Sequence, residues 1–463
     1  MHPTLKDMHF VGIGGIGMSG LAEILLTMGC RVTGSDLARS PATDRLKRRG
    51  AKIFIGHRSE NIGQPQAVVV SSAVSTSNSE LKAARHKGIP VISRGEMLAE
   101  LMRLKYGIAV AGSHGKTTTT SLVAAVLEAG GLDPTVVIGG RVKTLRSNAR
   151  LGKGNFLVAE ADESDGSFLH LNPTVAVVTN IDREHMDHYR NFEELKRTFA
   201  EFAAKIPFYG TAIFCADHPL SAGLAKNFPK RFVTYGVCEK ADYTAEKIRL
   251  KGWESRFGVR CRDDVLGEIR LHLPGMHNVL NSLAAVAVGR ELGMKFSDIR
   301  RGLAAFRGVG RRMERIYDKK ILIVDDYGHH PTEVRATIQA LHRAIRRRRM
   351  WVVFQPHRYS RTKDLFGDFT KVFDWAVKDE GVRLILTDIY AASEEPIQGV
   401  SGRRLFEAVA KGKKKDSVLF VADVADIPGV LAPKLEKGDV VLTLGAGHVW
   451  KVGRALAERY ERS

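Results

Sequence analysis

The sequence predicts an α/β protein of three domains, each built on a doubly wound sheet, and three observations carry that expectation. A β-branched run stops at a glycine loop and passes into a helix between residues 106 and 128. A second strand, glycine loop and helix occupy residues 9 to 36, and from Lys319 onward short apolar runs again alternate with helical stretches. Such alternation builds parallel sheets covered by helices. At 463 residues the chain exceeds one ordinary core, and domains of about 100–200 residues suggest three. The boundaries are expected at 1–105, 106–312 and 313–463.

In the first domain, His9-Phe10-Val11 leads into Gly12-Ile13-Gly14-Gly15-Ile16-Gly17. A helix then runs to Thr27 and closes at Gly29, and a strand from Arg31 to Thr33 ends at Asp36. This is the dinucleotide fingerprint, with glycines for the turn and for close approach of a pyrophosphate and an acidic residue at the proper distance. A lone Gly-x-Gly-x-x-Gly accepts any nucleotide diphosphate, so a nicotinamide enzyme is only one reading. Val68-Val69-Val70 is a further strand with hydroxyls Ser71 and Ser72 at its end, Ile89 to Ile92 is another, and Met97 to Lys105 is a helix leading out.

The second domain opens with the strand Ile108 to Val110, the loop Gly112-Ser113-His114-Gly115-Lys116-Thr117-Thr118 and a helix over Ser121 to Glu128. A loop of this kind aims backbone N–H groups at one point, and the helix dipole adds to the attraction for an anion. Phosphate is the natural occupant, Lys116 reaches its outer oxygens as a point charge, and the Thr117 hydroxyl is placed to ligate Mg²⁺. Val110 stands where the full phosphate-loop pattern has a further glycine, so half of the generic motif is present. A plain glycine turn is the competing reading, disfavoured because strand and helix flank the loop in the required order.

Phe156 to Ala159 runs into Glu160-Ala161-Asp162-Glu163-Ser164-Asp165, and Val175 to Thr179 runs into Asn180-Ile181-Asp182-Arg183-Glu184-His185. Ligands of open α/β sheets sit beyond the carboxyl ends of the strands, so these groups should converge near the phosphate loop. Carboxylate and hydroxyl donors with retained water suit Mg²⁺. Pro274 to Asn281 precedes a helix over Ser282 to Leu292. There His277 and Asn278 hydrogen-bond a base or ribose or cap the helix, and capping is the reading for Asn281. Gly308 to Arg312 reads as a hinge carrying cations, or as solvated charge.

A third, Rossmann-like unit follows. Ile321 to Val324 ends in Asp325-Asp326-Tyr327-Gly328-His329-His330-Pro331, and Met350 to Phe354 ends in Gln355-Pro356-His357-Arg358-Tyr359-Ser360-Arg361. Leu384 to Thr387, Val418 to Val421 and Val440 to Leu444 supply further strands.

Composition narrows the class. No apolar run approaches the ~18 residues of a membrane span, and the polar start Met1 to Asp7 lacks an apolar signal core, so a cytoplasmic chain without membrane insertion is expected. Cys30, Cys215, Cys238 and Cys261 are far apart and read as reduced, mostly buried residues. A net charge of +20 suits nucleic acid or substrates bearing phosphates and carboxylates. Aromatic content of 7% without a basic, aromatic-interleaved stripe argues against nucleic acid. Arg346 to Arg349 and Lys411 to Lys415 read as solvated surface charge.

Taken together, Gly112 to Thr118, Glu160 to Asp165, Thr179-Asn180 with His185, Gly275 with His277-Asn278 and Asn281, and Gly310-Arg311-Arg312 resemble the Mur ligases of peptidoglycan synthesis, over essentially the whole chain. Gly12 to Gly20, Asp325 to Glu333 and Phe354 to Thr362 are most similar to the members that join L-alanine to UDP-N-acetylmuramate. The branch that recycles murein peptide is the alternative. Glu184, Met276 and Val309 are small departures from the family pattern.

The resemblance implies that the γ-phosphoryl group of ATP activates the lactyl carboxylate of UDP-N-acetylmuramate and that the amine of L-alanine captures the acyl phosphate. It brings ATP and Mg²⁺ as cofactors and implies a monomer or homodimer acting on small molecules. By this resemblance ATP meets Gly112, Ser113, His114, Gly115, Lys116, Thr117, Thr118, Asn180, His277, Asn278 and Arg312, and Thr117, Glu160 and His185 hold Mg²⁺. Gly14, Gly15, Gly17, Asp36 and Ser71 hold the UDP moiety, while Tyr327, His329, Arg358 and Arg361 face the reacting substrates. Lys116, His185, His329, Arg358 and Arg361 form the catalytic set. Arg358 and Arg361, three apart after a strand, can fork a carboxylate or phosphate. His329 orients or deprotonates the amine, or supports a neighbour that does. Hinges near Tyr106 and Arg312 would close the cleft and keep water from the acyl phosphate.

Overall fold

The computed structural model describes residues 6–71, 73–139, 149–186, 188–345, 348–414 and 416–462. The expectations that rest on residues 1–5, Ser72, Arg346, Arg347 and Lys415 lie outside the described residues. The chain forms two compact units: Met1–Glu246 with Gly258–Ile269 and Leu280–Phe306, and Lys247–Phe257 with Arg270–Val279 and Arg307–Ser463. The strands Tyr243–Lys251, Glu254–Cys261 and Asp264–Leu271 and the helix Met276–Glu291 contribute residues to both.

The first unit carries a five-stranded sheet in the order Lys52–Ile55, Arg31–Asp36, Asp7–Val11, Ala67–Val70, Val91–Ser93. All its pairings are parallel, with Phe10 opposite Gly34 on one side and Val69 on the other. Chain order reverses at the central strand, so the glycine loop that follows it opens at the switch point where such sheets bind ligands. The helix Ile16–Thr27 buries Met18, Leu21, Ala22, Ile24 and Leu25, each large side chain contributing about 1.5–3 kcal/mol. Gly29, at φ 86°, turns the chain out of that helix in a conformation other residues rarely adopt.

The same unit holds the parallel strands Phe232–Gly236, Thr211–Cys215, Val175–Val178, Tyr106–Ala111, Phe156–Glu160 and Thr135–Val137, hydrogen-bonded in that order. Ala149–Arg150 closes that edge antiparallel. Tyr106–Ala111 lies between Val175–Val178 and Phe156–Glu160, a second switch point, and its loop emerges there. One continuous core runs from Met8 and Phe10 through Ala109 to Phe214, so both sheets are packed into a single body.

The second unit is a six-stranded sheet in the order Glu314–Asp318, Leu322–Asp326, Val440–Leu444, Met350–Phe354, Arg383–Leu386, Val418–Phe420. Its first pair is antiparallel and the others parallel. Met350, Val352 and Phe354 pack on one face, Trp351 and Val353 on the other, as a doubly wound sheet requires.

The expected α/β class with three sheets is found, and the differences lie in the elements. The helix expected from Ser282 begins at Met276, so Asn281 is not a helix cap but an interior helical residue. Two of the four cysteines are buried, Cys30 and Cys215, while Cys261 is half-buried and Cys238 exposed, which corrects the expectation of mostly buried thiols. Among the described residues no helix is long and apolar enough to cross a membrane.

Candidate active site

The phosphate loop is shaped by two glycines. Gly112 has φ 136° and Gly115 φ 80°, and a Cβ on Gly112 would fall 2.0 Å from Thr179 Oγ1. That close approach lets the loop be laced to the neighbouring strand end. Ser113 N donates to Asn180 O at 3.2 Å, His114 N to Asn180 Oδ1 at 2.8 Å, and Thr179 Oγ1 to His114 O at 2.7 Å. Asn180 thus braces the loop. Asn281 does the same from the helix Met276–Glu291: its Oδ1 would lie 2.7 Å from a Cβ at Gly115 and stands 3.2 Å from Thr119 Oγ1. Thr117 and Thr118 are buried in the first turn of the helix Lys116–Ala129.

Charge is concentrated below the loop. Lys116 Nζ donates to Gly112 O at 2.7 Å and to Glu163 Oε1 at 2.8 Å. Burial disfavours the Lys116 cation, but Glu163, Asp162, Glu184 and Glu160 outweigh it and hold the ammonium firmly protonated. Burial pushes Glu163 up to about 7 against the pull of Lys116. Thr117 Oγ1 donates to the two oxygens of Glu160 at 3.0 and 3.1 Å, and Gly139 N donates to Glu160 Oε2 at 2.7 Å.

Glu163, Glu184 and His185 each offer one ligand atom, and these atoms lie within 4.8 Å of one another. Among the described residues, no donor meets the buried Glu163 Oε2. A buried carboxylate oxygen without a donor is costly unless a cation meets it, and an oxygen-rich set with one imidazole fits a divalent ion. His185 therefore groups with Glu163 and Glu184, whereas Glu160 pairs with Thr117.

The first glycine loop gathers its expected residues at the carboxyl end of the five-stranded sheet. Gly14 N donates to Asp36 Oδ2 at 2.7 Å, and a Cβ at Gly14 would lie 2.8 Å from that oxygen. Asp36 thereby holds the loop's shape. Ser71 Cβ lies 3.2 Å from the Cβ position of Gly12, Gly15 is exposed, and the Arg94 side chain covers Gly17.

In the second unit the strands Leu322–Asp326 and Met350–Phe354 deliver Tyr327, His329, His357, Arg358 and Arg361. The rings of Tyr327 and His329 are 5.5 Å apart, those of His329 and His357 5.6 Å, and Tyr390 stacks on His357 at 5.4 Å. Arg361 Nη1 donates to His357 Nδ1 at 3.1 Å, which assigns the remaining proton of a neutral His357 to Nε2. Burial, then the positive surroundings of His329, Arg361 and Arg358, hold His357 neutral, down to about 3. His329 Nδ1 faces the carbonyl of Tyr327 at 3.2 Å, so that nitrogen carries the proton and Nε2 is the basic one.

Arg358 adopts φ 66° and ψ 140°, a strained conformation for a side-chain-bearing residue. It is clamped there: Arg358 N donates to Tyr390 O at 2.8 Å and Thr362 Oγ1 donates to Arg358 O at 2.8 Å. Glu394 lies 3.8 Å from Arg358 Nη1 and accepts from Ser360 N and Oγ at 3.0 and 2.6 Å. Arg312 lies 5.3 Å over the Tyr327 ring and 3.6 Å from Glu333. Burial, then Arg312, lowers His277 to about 4, and Asn278 Nδ2 donates to Pro274 O at 2.8 Å.

Three family models divide the chain between them: the Mur ligase catalytic domain matches residues 7–106, the Mur ligase middle domain 110–289, and the Mur ligase glutamate ligase domain 311–447. The chain belongs to the Mur ligase family. A UDP-N-acetylmuramate–L-alanine ligase of Trichlorobacter lovleyi is 52% identical to it over 461 residues, 99% of this chain and 100% of that protein. The crystal structure of a UDP-N-acetylmuramate-alanine ligase from Thermotoga maritima matches with a TM-score of 0.82 and 30% identity, over 98% of this chain and 99% of that one. A murein peptide ligase from Psychrobacter arcticus matches with a TM-score of 0.70 and 25% identity, over 97% and 98% of the two chains.

Several residues of this Mur ligase carry little sequence signal of their own. Glu163 and Glu184 stand in acidic runs, but a run does not say which carboxylate turns inward. Tyr390 and Glu394 carried no motif at all. Arg94 had one usable signal: it follows Ser93 and precedes Glu96, which form a capping box that fixes where its helix starts.

Proposed function

We propose that this Mur ligase joins L-alanine to UDP-N-acetylmuramate in peptidoglycan precursor synthesis, releasing ADP and phosphate from ATP. The observation that carries the reading is the buried Lys116–Glu163 pair beneath a phosphate loop, beside an acid–imidazole cluster, in a chain similar over its whole length to alanine-adding ligases. The proposed domains are 1–105 for the UDP moiety, 106–312 for ATP and 313–463 for the amino acid. The enzyme acts in the cytoplasm as a monomer or homodimer, without nucleic acid or membrane insertion.

A carboxylate is a poor electrophile because its charge repels nucleophiles and oxide is a poor leaving group. In the proposed reaction the lactyl carboxylate oxygen attacks the γ-phosphorus of ATP, the bond to ADP breaks, and an acyl phosphate forms. The alanine amine then attacks the acyl carbon, phosphate departs with its electron pair, and the amine nitrogen loses a proton. Lys116 and the amides of residues 112–115 stabilise the charge on the transferring phosphoryl group. Glu163, Glu184 and His185, with Glu160 and Thr117 on the loop side, would hold Mg²⁺, which supplies charge neutralisation at the phosphates. Gly14, Gly15, Gly17, Asp36 and Ser71 hold the UDP moiety, and His277, Asn278 and Arg312 serve the nucleotide. Arg358 and Arg361 grip carboxylate and phosphate oxygens, and Tyr327 positions His329. His329 Nε2 accepts the proton of the incoming amine.

ADP release with UDP-N-acetylmuramate and each amino acid in turn tests this. Release should depend on L-alanine and vanish in Lys116→Ala. Release driven by a murein tripeptide and not by L-alanine would instead select the recycling reaction, which the alanine-adding relatives do not favour.

A further inference from the structure

A cation lies on the first glycine loop. A Cβ at Gly17 would fall 2.8 Å from Cδ, 3.3 Å from Nε and 3.3 Å from Nη1 of Arg94, so that position must be glycine for the guanidinium to rest there. The side chain has little freedom at its root. Arg94 opens the helix Arg94–Arg103 directly after the Ser93–Glu96 capping box. Its neighbour Gly95 is packed so closely that a Cβ would come within 2.6 Å of Ser167 Cβ.

Beyond the loop, Arg94 Nη2 reaches Asp162 Oδ2 at 3.4 Å. A guanidinium has five N–H donors, more than that one contact uses. With side chains 26% and 40% exposed, this ion pair contributes little to stability, and stability alone gives weak reason to set an arginine over a bare backbone. Arg94 also lines a cavity of about 260 Å³ with Ser71, Thr76, Arg85 and Ser93. Ser71 and Val74 carry that cavity to Gly12, at 3.2 and 3.3 Å from its Cβ position. The hollow therefore adjoins the loop through Ser71 and Val74, and its wall carries two arginines, three hydroxyls and one carboxylate, that of Asp165.

We propose that Arg94 is a substrate-binding residue that grips the diphosphate of the sugar nucleotide against the loop of Gly14 to Gly17, with Asp162 orienting its guanidinium. The inference rests on the reading of that loop as the UDP site. It makes Gly17 part of the recognition by omission, since any side chain there would displace the cation. Lysine cannot copy the arrangement, because an ammonium offers a point charge without a planar set of donors.

Calorimetric titration of the full chain with UDP, uridine and ATP tests the assignment. Arg94→Ala should weaken UDP binding roughly 10- to 100-fold, leave uridine and ATP within about threefold, and Arg94→Lys should recover part of the loss. An unchanged UDP affinity in Arg94→Ala, or an equal loss for uridine and UDP, would overturn it. If Arg94→Ala does not fold, judged by lost ATP binding, Arg94→Lys decides: a several-fold loss for UDP alone supports the assignment and no loss overturns it. Failure of the wild-type chain to bind UDP would instead remove the reading of the site on which the inference stands.

Discussion

At the scale of single residues, the Lys116–Glu163 pair orders the phosphate site. Glu163 is 1% exposed, and one of its oxygens takes Lys116 while the other meets no donor among the described residues. Glu163→Gln keeps the shape and removes the charge that both Lys116 and a metal ion require. It should lower kcat by roughly 10²-fold and also lower the melting temperature, because Lys116 loses its nearest buried counter-charge, checked by ADP release and thermal unfolding. Glu394 plays a comparable part in the second unit, beside Arg358 and under Ser360. Glu394→Gln should raise KM for L-alanine by about 10-fold while leaving KM for ATP unchanged, and a parallel rise in both would refute a positioning role. Neither residue is singled out by spacing, because both act on groups far away in the chain.

At the scale of elements, the strands were the most legible part. Continuous apolar runs such as Val175–Val178 and Met350–Phe354 are buried on both faces, and their sequences say so. The strand Thr211–Cys215, equally buried, is less legible because its apolar run Ala212-Ile213-Phe214 is short and leads into no recognisable motif. The helix Met276–Glu291 began earlier than expected because His277, Asn278 and Asn281 suit caps locally. Tertiary contacts override that preference: Asn281 meets Gly115 and Thr119 from inside the helix. The glycine loops were legible in position and not in necessity. Gly112→Ala places a Cβ 2.0 Å from Thr179 Oγ1 at φ 136°, so the loop must shift. The variant should lose about 1–3 kcal/mol of stability and its ATP affinity, measured by denaturant midpoint and by titration.

At the scale of the whole molecule, stability should depend on acid through buried groups. Glu80 is fully buried, and although burial opposes its charge, the His9 ring 3.9 Å away and hydrogen bonds from Ser35 and Asn61 hold it down to about 2. Its folded value lies below its unfolded one, so it stabilises above the ordinary glutamate range, by about 3 kcal/mol. That contribution is lost as pH falls from about 4.5 toward 2. His357, held down to about 3, acts over a higher window: the unfolded chain binds its proton first, so stability declines as pH drops below about 6.5. Chemical denaturation at pH 7 and pH 4 should show Glu80→Gln markedly less stable at pH 7 and closer to wild type at pH 4.

The α/β class, the two glycine loops, the strand-end clusters and, by resemblance, the ligase family are all legible in the unfolded chain. These depend on local chemistry: β-branched runs, glycines between strand and helix, and motifs of fixed spacing. That Glu163 holds Lys116, that Asp36 clasps Gly14, that Arg94 covers Gly17 and that Tyr390 clamps a strained Arg358 emerges only once the chain has folded. Each of those pairs joins segments 22 to 77 residues apart, and three of the four end on a backbone amide, a bare Cα or a residue at strained φ. Such pairings follow from how sheets and helices pack, and packing is a property of the folded chain as a whole.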